Sequence, residues 1–188
     1  MKIKQTAAVI ATLSILAVPT SVVFAGGHGV MVGGAEMVDT KTIVENASES
    51  ADHTTLVAAV KAAGLVDTLQ GDGPFTVLAP TNAAFDALPA GTVDTLLMAE
   101  NVEMLKTILT CHVVAAQAQA ADVIKMITDG GGEAVVGTVG GCQLTAKYDN
   151  EQVTFTDENG TVGTVTIADV PQKNGVVHVI DAVLTPKS

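Results

Sequence analysis

Apolar residues recur at helical spacing over the first half of the chain and switch to alternating or β-branched runs beyond Gly132. Leu56, Val57 and Val60 share one face of a predicted helix, with Asp52 or Thr54 able to cap it and Gly64 a natural left-handed stop. The glycines at 71 and 73 make a turn before Phe75-Thr76-Val77-Leu78, a short buried strand bounded by Pro74 and Pro80. Asn82 or Thr81 is placed to cap a second short helix that carries Phe85 and Leu88 and is ended by Pro89. Val93, Leu96 and Leu97, then Val102, Leu105, Ile108 and Leu109, predict two further one-sided helices between Thr92 and Thr110. Cys111 to Val114 reads as a strand, and Ala120 to Met126 as a helix closed by Asp129 and three glycines.

Val135-Val136, Leu144, Val153 to Phe155, Val162 to Ile167 and Val176 to Leu184 lie between Gly-Gly, Asp-Asn and Asn-Gly turns, the signature of a mostly antiparallel sheet. Helices gathered early and strands gathered late predict one α+β domain over 41–188, with no linker or repeat to mark a second. Ahead of it, residues 26–40 begin with a glycine-rich, aperiodic stretch that reads as a flexible tail. Residues 1–25 have the layout of a secretory signal peptide. Lys2 and Lys4 precede an apolar run from Ala7 to Val18, then Pro19 and the small-residue site Val23-Phe24-Ala25. The run is about a dozen residues where a bilayer span needs about 20, so a transmembrane anchor is not expected.

Cleavage after Ala25 removes two of nine Lys and none of 20 acidic residues, taking the formal charge from −11 to −13. No Arg is present, which removes the planar fork that grips phosphate or carboxylate in a bidentate way. Nucleic acid and anionic lipid would be repelled, and 3% aromatic residues with no Trp leave few stacking platforms for bases or sugars. Cys111 and Cys142 are the only cysteines, and in an exported chain their default state is one intramolecular disulfide rather than two free thiols.

Gly73 to Pro89, GPFTVLAPTNAAFDALP, closely resembles the first signature of fasciclin domains. Asn174 to Pro186, NGVVHVIDAVLTP, resembles the second, and LTCHVV, Leu109 to Val114, is similar to the family's central Tyr-His segment. The resemblance covers roughly Thr42 to Pro186. It implies a wedge of two β-sheets decorated by short helices, and a framework role for Phe75, Pro80, Thr81, Asn82, Phe85, Asp86, His178 and Asp181. Cys111 stands where the family usually has Tyr, so a disulfide would replace that Tyr by a covalent tie from the central strand to a late one. By the same resemblance, His112 and Asp169 occupy positions tied to integrin contact in animal members, which makes them the candidate binding residues, whereas the apolar strand contexts of His112 and His178 read first as those of buried, hydrogen-bonded structural histidines.

No Gly-x-Ser-x-Gly elbow, His-Glu-x-x-His or phosphate-cradling loop is present, so catalysis is not expected. The resulting expectation is a secreted or periplasmic, non-enzymatic adhesion or interaction module that meets a protein, cell-surface or matrix partner and needs no cofactor. The alternative is a small Cu(II)- or Ni(II)-handling protein. Cleavage after Ala25 would leave Gly26-Gly27-His28 at a free amino terminus, with four nitrogens able to close a square plane and Met31 and Met37 nearby as soft donors for Cu(I). Asn46 and Asn159 begin Asn-x-Ser/Thr sequons.

Overall fold

The structure, a computed structural model of the chain, describes residues 29–187. Over residues 29–38 it corrects the expected flexible tail. There β1 (Gly29–Val32) and β2 (Ala35–Val38) pair antiparallel, and Gly33 and Gly34 take φ of 57° and 78°, the left-handed geometry a two-residue hairpin turn requires. Glycine here serves the turn rather than flexibility. Val32 and Met37 are buried in the core, so Met37 is not an accessible thioether, whereas Met31 is exposed. The hairpin is tied down by Asn46. Its Oδ1 accepts from the Val38 N–H at 3.1 Å, and its Nδ2 donates to the Val38 carbonyl at 2.8 Å and to the side chain of Gln172.

Asn46 lies on α1 (Ile43–Glu49), a helix not anticipated from the apolar spacing. Thr42 and Glu45 close a capping box around its first turn, which satisfies two amide donors that would otherwise lack partners. A single 3-10 turn leads into α2 (Thr54–Ala62), where neither Asp52 nor Thr54 supplies a side-chain cap; Gly64, at φ 67°, does stop the chain as expected. After α3 (Val66–Gln70) and β3 (Phe75–Pro80) comes α4 (Asn82–Asp86), capped by Thr81 rather than Asn82. Thr81 Oγ1 accepts from the Ala84 N–H at 3.3 Å, while the Asn82 amide reaches across to the Thr55 N–H at 3.0 Å and the Ala51 carbonyl at 2.8 Å, fastening α4 to α2.

The chain continues through α5 (Thr92–Leu96), α6 (Val102–Thr110), the two-residue β4 (Val113–Val114) and α7 (Ala120–Asp129). Cys111 therefore sits at the C-terminal end of α6 and not in a strand. Its disulfide partner Cys142 lies just ahead of β6 (Gln143–Asp149). The predicted pairing is present, and it joins a helix end to the start of a strand. The remaining strands are β5 (Glu133–Gly137), β7 (Gln152–Thr156), β8 (Val162–Gln172) and β9 (Gly175–Ile180).

Seven strands form one sheet in the order β4-β3-β9-β8-β7-β6-β5. The two signature segments meet in it as the parallel pair β3 and β9, from Phe75 opposite Gly175 to Pro80 opposite Ile180, and every other pairing is antiparallel. All six residues of β9 are buried, because elements pack on both of its faces. The eleven residues of β8 bend the sheet into the expected wedge. The early part pairs with β7 and the later part with β9, with register shifts between Val165 and Ile167 and between Ile167 and Val170.

Two clusters of buried side chains follow from this bend. Val77, Ala79, Val177, Val179 and Phe85 face α1, α2 and α6, whereas Leu78 and Ile180 face the other way, towards α7 and the β6–β7 strands. The paired strands β3 and β9 thus supply both faces of a shared seam, and Phe75 is only partly buried at its end.

Phe85→Ala should cost about 3 to 5 kcal/mol, read as a shift in urea midpoint with unchanged slope; wild-type stability would refute the packing role. Reduction of the Cys111–Cys142 disulfide, which spans 31 residues, should remove about 3 to 4 kcal/mol and lower the melting temperature by several degrees. A thiol count of two in never-reduced protein would contradict it.

Candidate functional site

The two histidines singled out by the signatures turn inward. His112 is buried beside the disulfide, its Nδ1–H donating to the Ile108 carbonyl at 2.8 Å and its Nε2 accepting from the Leu184 N–H at 2.9 Å. Both ring nitrogens are spent joining α6 to the last segment of the chain, so the candidate binding residue has no face for a partner. Burial holds it neutral and pushes its pKa down to about 4, with the Ile108 carbonyl and Asp157 opposing. His178 sits on β9, its Nε2–H donating to the Ala118 carbonyl at 2.9 Å and its Nδ1 accepting from the Asp169 N–H at 3.2 Å.

Asp169 occupies the bulge of β8 with a φ of 56°. Its carboxylate is exposed, yet Oδ1 accepts from the Ala120 N–H at 2.7 Å, at the first turn of α7. A carboxylate held there anchors the loop from β4 to α7 onto the sheet, and that use accounts for its position without a partner. Asp181, also exposed, accepts from the Thr164 N–H at 2.7 Å and closes β8 onto the end of β9. The second candidate binding residue and this signature aspartate are therefore both fastened to backbone.

Three residues outside the expected site carry comparable structural weight. Asp157 is buried, and its carboxylate accepts from the N–H groups of Asn159, Thr161 and Thr185 at 2.9, 2.8 and 2.8 Å. Burial alone would raise its pKa, but the bonds from Thr185, Thr161 and Asn159 outweigh it and hold the group below the usual value. Asn174 Oδ1 accepts from the Ile43 N–H at 3.1 Å, while Nδ2 donates to the carbonyls of Leu69 and Gly71 at 2.8 and 3.0 Å. His53 is fully buried with Nδ1 against Ser50 Oγ at 2.9 Å; its Nε2 makes no hydrogen bond, the Ala79 backbone lying near without reaching bonding geometry. Sequence signals existed for two of these, the Asp-Glu-Asn-Gly turn at 157 and the Asn-Gly pair at 174. Nothing in the spacing marked His53.

Among the described residues no group of three or more His, Cys, Asp or Glu is arranged to hold a metal ion. Gly26, Gly27 and His28 lie outside the described residues, as does the segment read as a signal peptide. Among the described residues no helix is long and apolar enough to cross a membrane. The described residues leave several openings on the surface, and two differ sharply in polarity. One, of about 350 Å³, is polar, set between the Gly71–Pro74 and Gln172–Gly175 turns with Gln117 and Thr42 beside it. The other, of about 410 Å³, is an apolar groove between α5, α6 and residues 183–187.

The histidines set an acid limit. A base whose pKa is depressed by folding favours the native state above its unfolded value of about 6.5 and withdraws that stability as pH falls towards the folded value. Stability should thus decline between pH 6.5 and about 4, with His112 contributing on the order of 3 kcal/mol across that window and His53 adding in the same direction. Urea midpoints against pH test this. His112→Gln should be less stable at pH 7 but show a flatter slope in that window, and an unchanged slope would refute the assignment.

With this geometry in place, the likeness to known proteins falls into order. The fasciclin domain, as a family profile, matches residues 51–186. The protein sll1483 of Synechocystis is 49% identical over 145 residues, spanning 77% of this chain and 73% of that one. The cell surface glycolipoprotein MPB83 of Mycobacterium bovis is 39% identical over 122 residues, 65% of this chain and 48% of that one. A solved pair of FAS1 domains from the insect cell adhesion molecule Fasciclin I superposes with a TM-score of 0.70 at 19% identity, over 78% of this chain and 51% of that chain. The chain belongs to the fasciclin-domain family.

Proposed function

We propose that this protein acts outside the cytoplasm as a non-enzymatic interaction module, binding a protein on a cell surface or in a matrix through non-covalent contacts. The observation that carries the reading is that the polar groups around the signature segments are already committed to the backbone. His112, His178, Asp157, Asp169 and Asn174 are each engaged by backbone partners, which makes them scaffold and shifts binding onto loops and helix faces between them. The Fasciclin I and MPB83 names, an adhesion molecule and a cell-surface protein, support the same reading. So does the charge. A chain with 20 acidic residues against nine Lys favours partners that are basic or neutral at the contact and resists association with nucleic acid.

Export follows from the amino-terminal segment, with Lys2 and Lys4 ahead of an apolar run and the small-residue site ending at Ala25. Natively processed protein should begin after residue 25 by mass spectrometry and, once immobilised, should retain a protein from an envelope extract that protein reduced, alkylated and heat-denatured before immobilisation does not. Recovery of the chain with Met1 intact in the cytoplasm, or equal retention by the unfolded control, would overturn the reading.

A further inference from the structure

The seven-stranded sheet has two ends, and they are finished differently. At β4 the turn between β5 and β6 closes the edge, with the Val139 N–H donating to the Val113 carbonyl at 2.8 Å and the Gly140 N–H to the Thr110 carbonyl at 3.0 Å. At β5 no strand among the described residues pairs with the outer edge. Which groups that edge presents follows from the turns at either end of β6. Antiparallel pairs alternate between those that exchange two backbone bonds and those that exchange none. The Thr138 N–H donates to the Cys142 carbonyl at 3.0 Å, one register step beyond Gly137 and Gln143. The two-residue turn at Asn150 and Glu151, both at positive φ, makes Asp149 and Gln152 a bonded pair as well. Both turns set the same phase: Ala134 and Val136 bond to β6, while Glu133, Val135 and Gly137 point their N–H and C=O groups away from it. The Glu133 carbonyl rests against Gly130, where a side chain would not fit, so the open edge is centred on Val135.

Open edges are commonly blunted by Lys, Pro or a bulge, and β5, Glu-Ala-Val-Val-Gly, has none of these. Val135 is 66% exposed. Nor does α7 shield the edge, since it packs over β5, β6 and β7. The charges here are self-contained, Glu133 with Lys147 at 3.3 Å and Asp129 of α7 with Lys125 at 2.5 Å, on a chain whose 20 acidic residues outnumber its nine Lys. A neutral edge on an acidic body is where a second copy can approach without meeting like charge. The register permits it. With two β5 strands antiparallel about a two-fold axis at Val135, each Val135 meets its counterpart, and Glu133 meets Gly137, whose missing side chain leaves open space. Every outward N–H then faces an outward C=O. On the other face Ala134 comes opposite Val136 at the close spacing of a non-bonded pair, carrying the apolar layer beneath α7 across the axis.

We infer that the outer edge of β5 joins that of a second copy, antiparallel about Val135, so that the sheet continues across a two-fold dimer. The contact is about 17 Å of strand, short of a permanent interface, so the dimer is weak and forms where copies are crowded. It closes at two because pairing uses up the edge on both copies. The inference goes beyond the interaction reading and does not require a further partner.

Sedimentation velocity on natively processed, disulfide-intact protein tests this at concentrations up to about 1 mM. A monomer–dimer equilibrium is expected, with no larger species. It should tighten as salt rises from about 0.05 to about 0.5 M, because screening removes the repulsion between two acidic bodies. Val135→Lys and Val135→Glu, at an exposed position that should leave the circular dichroism unchanged, should each weaken the dimer about tenfold or more by setting like charges on the axis. Mixed in equal amounts, the two variants should pair with each other, since Lys then stands opposite Glu. Val162→Lys, at the exposed start of β8, should leave the dimer as it is. A monomer throughout the range, a dimer that survives Val135→Lys, or a mixture no better associated than its components would overturn the inference. So would open-ended oligomers. A wild-type monomer that binds a Thr/Val strand peptide of about seven residues, with the Val135 and Gly137 amides then protected from exchange, would make the occupant a foreign strand and overturn the second-copy assignment.

Discussion

The parallel pairing of β3 with β9 is the contact on which the rest of the molecule depends. It places Val77 beside Val177 and Leu78 beside His178, and from that seam side chains project in both directions. The helices α1, α2 and α6 cover one face and α7 the other, so neither cluster exists unless the seam is closed. The ends of the seam are as constrained as its middle. A Cβ on Gly73 or on Gly175 would collide with backbone of the neighbouring strand, which restricts both positions to glycine. Asn174 holds the same end from the side through α1 and the turn after α3.

The histidines and the buried aspartate extend that logic to the loops. His112 holds the Leu184 amide, Asp157 holds the Thr185 amide, and His178 together with Asp169 holds the loop entering α7. Each uses a side chain to satisfy backbone groups that irregular segments leave unpaired, the accounting that any buried loop must meet. This is why residues whose chemistry invites a catalytic or ligand reading serve the scaffold. The surface available for recognition then falls to segments such as α5, which contribute little to the core.

The helical half and the identity of the fold were legible because apolar spacing at Leu56, Val60, Leu105 and Ile108 matches the buried face, and because the two signatures are long. The hairpin at 29–38 was not, since Gly33-Gly34 reads equally as slack chain or as a tight turn until Val32 and Met37 are seen in the core. The Thr42-x-x-Glu45 box is the sequence signal for α1, since seven residues barely display an apolar period. The parallel register of β3 and β9 leaves no local trace, because neither strand's sequence refers to the other. Nor could the resemblance at His112 and Asp169 show their surroundings, because it gives residue type and order, but not that one side chain is buried and the other bonded to the Ala120 amide.

The seam also fixes an order of events. A strand near residue 78 cannot acquire its neighbour until residues 175–180 have been synthesised, so the helices made early have only part of the surface they need to pack against. Contacts of such wide sequence separation are slow to form, since the loop between them must close before it is repaid by pairing. The chain therefore stays without its central core until its final segment is available. That delay keeps the early helices open to rearrangement, and the last strand to arrive is the one that locks the rest.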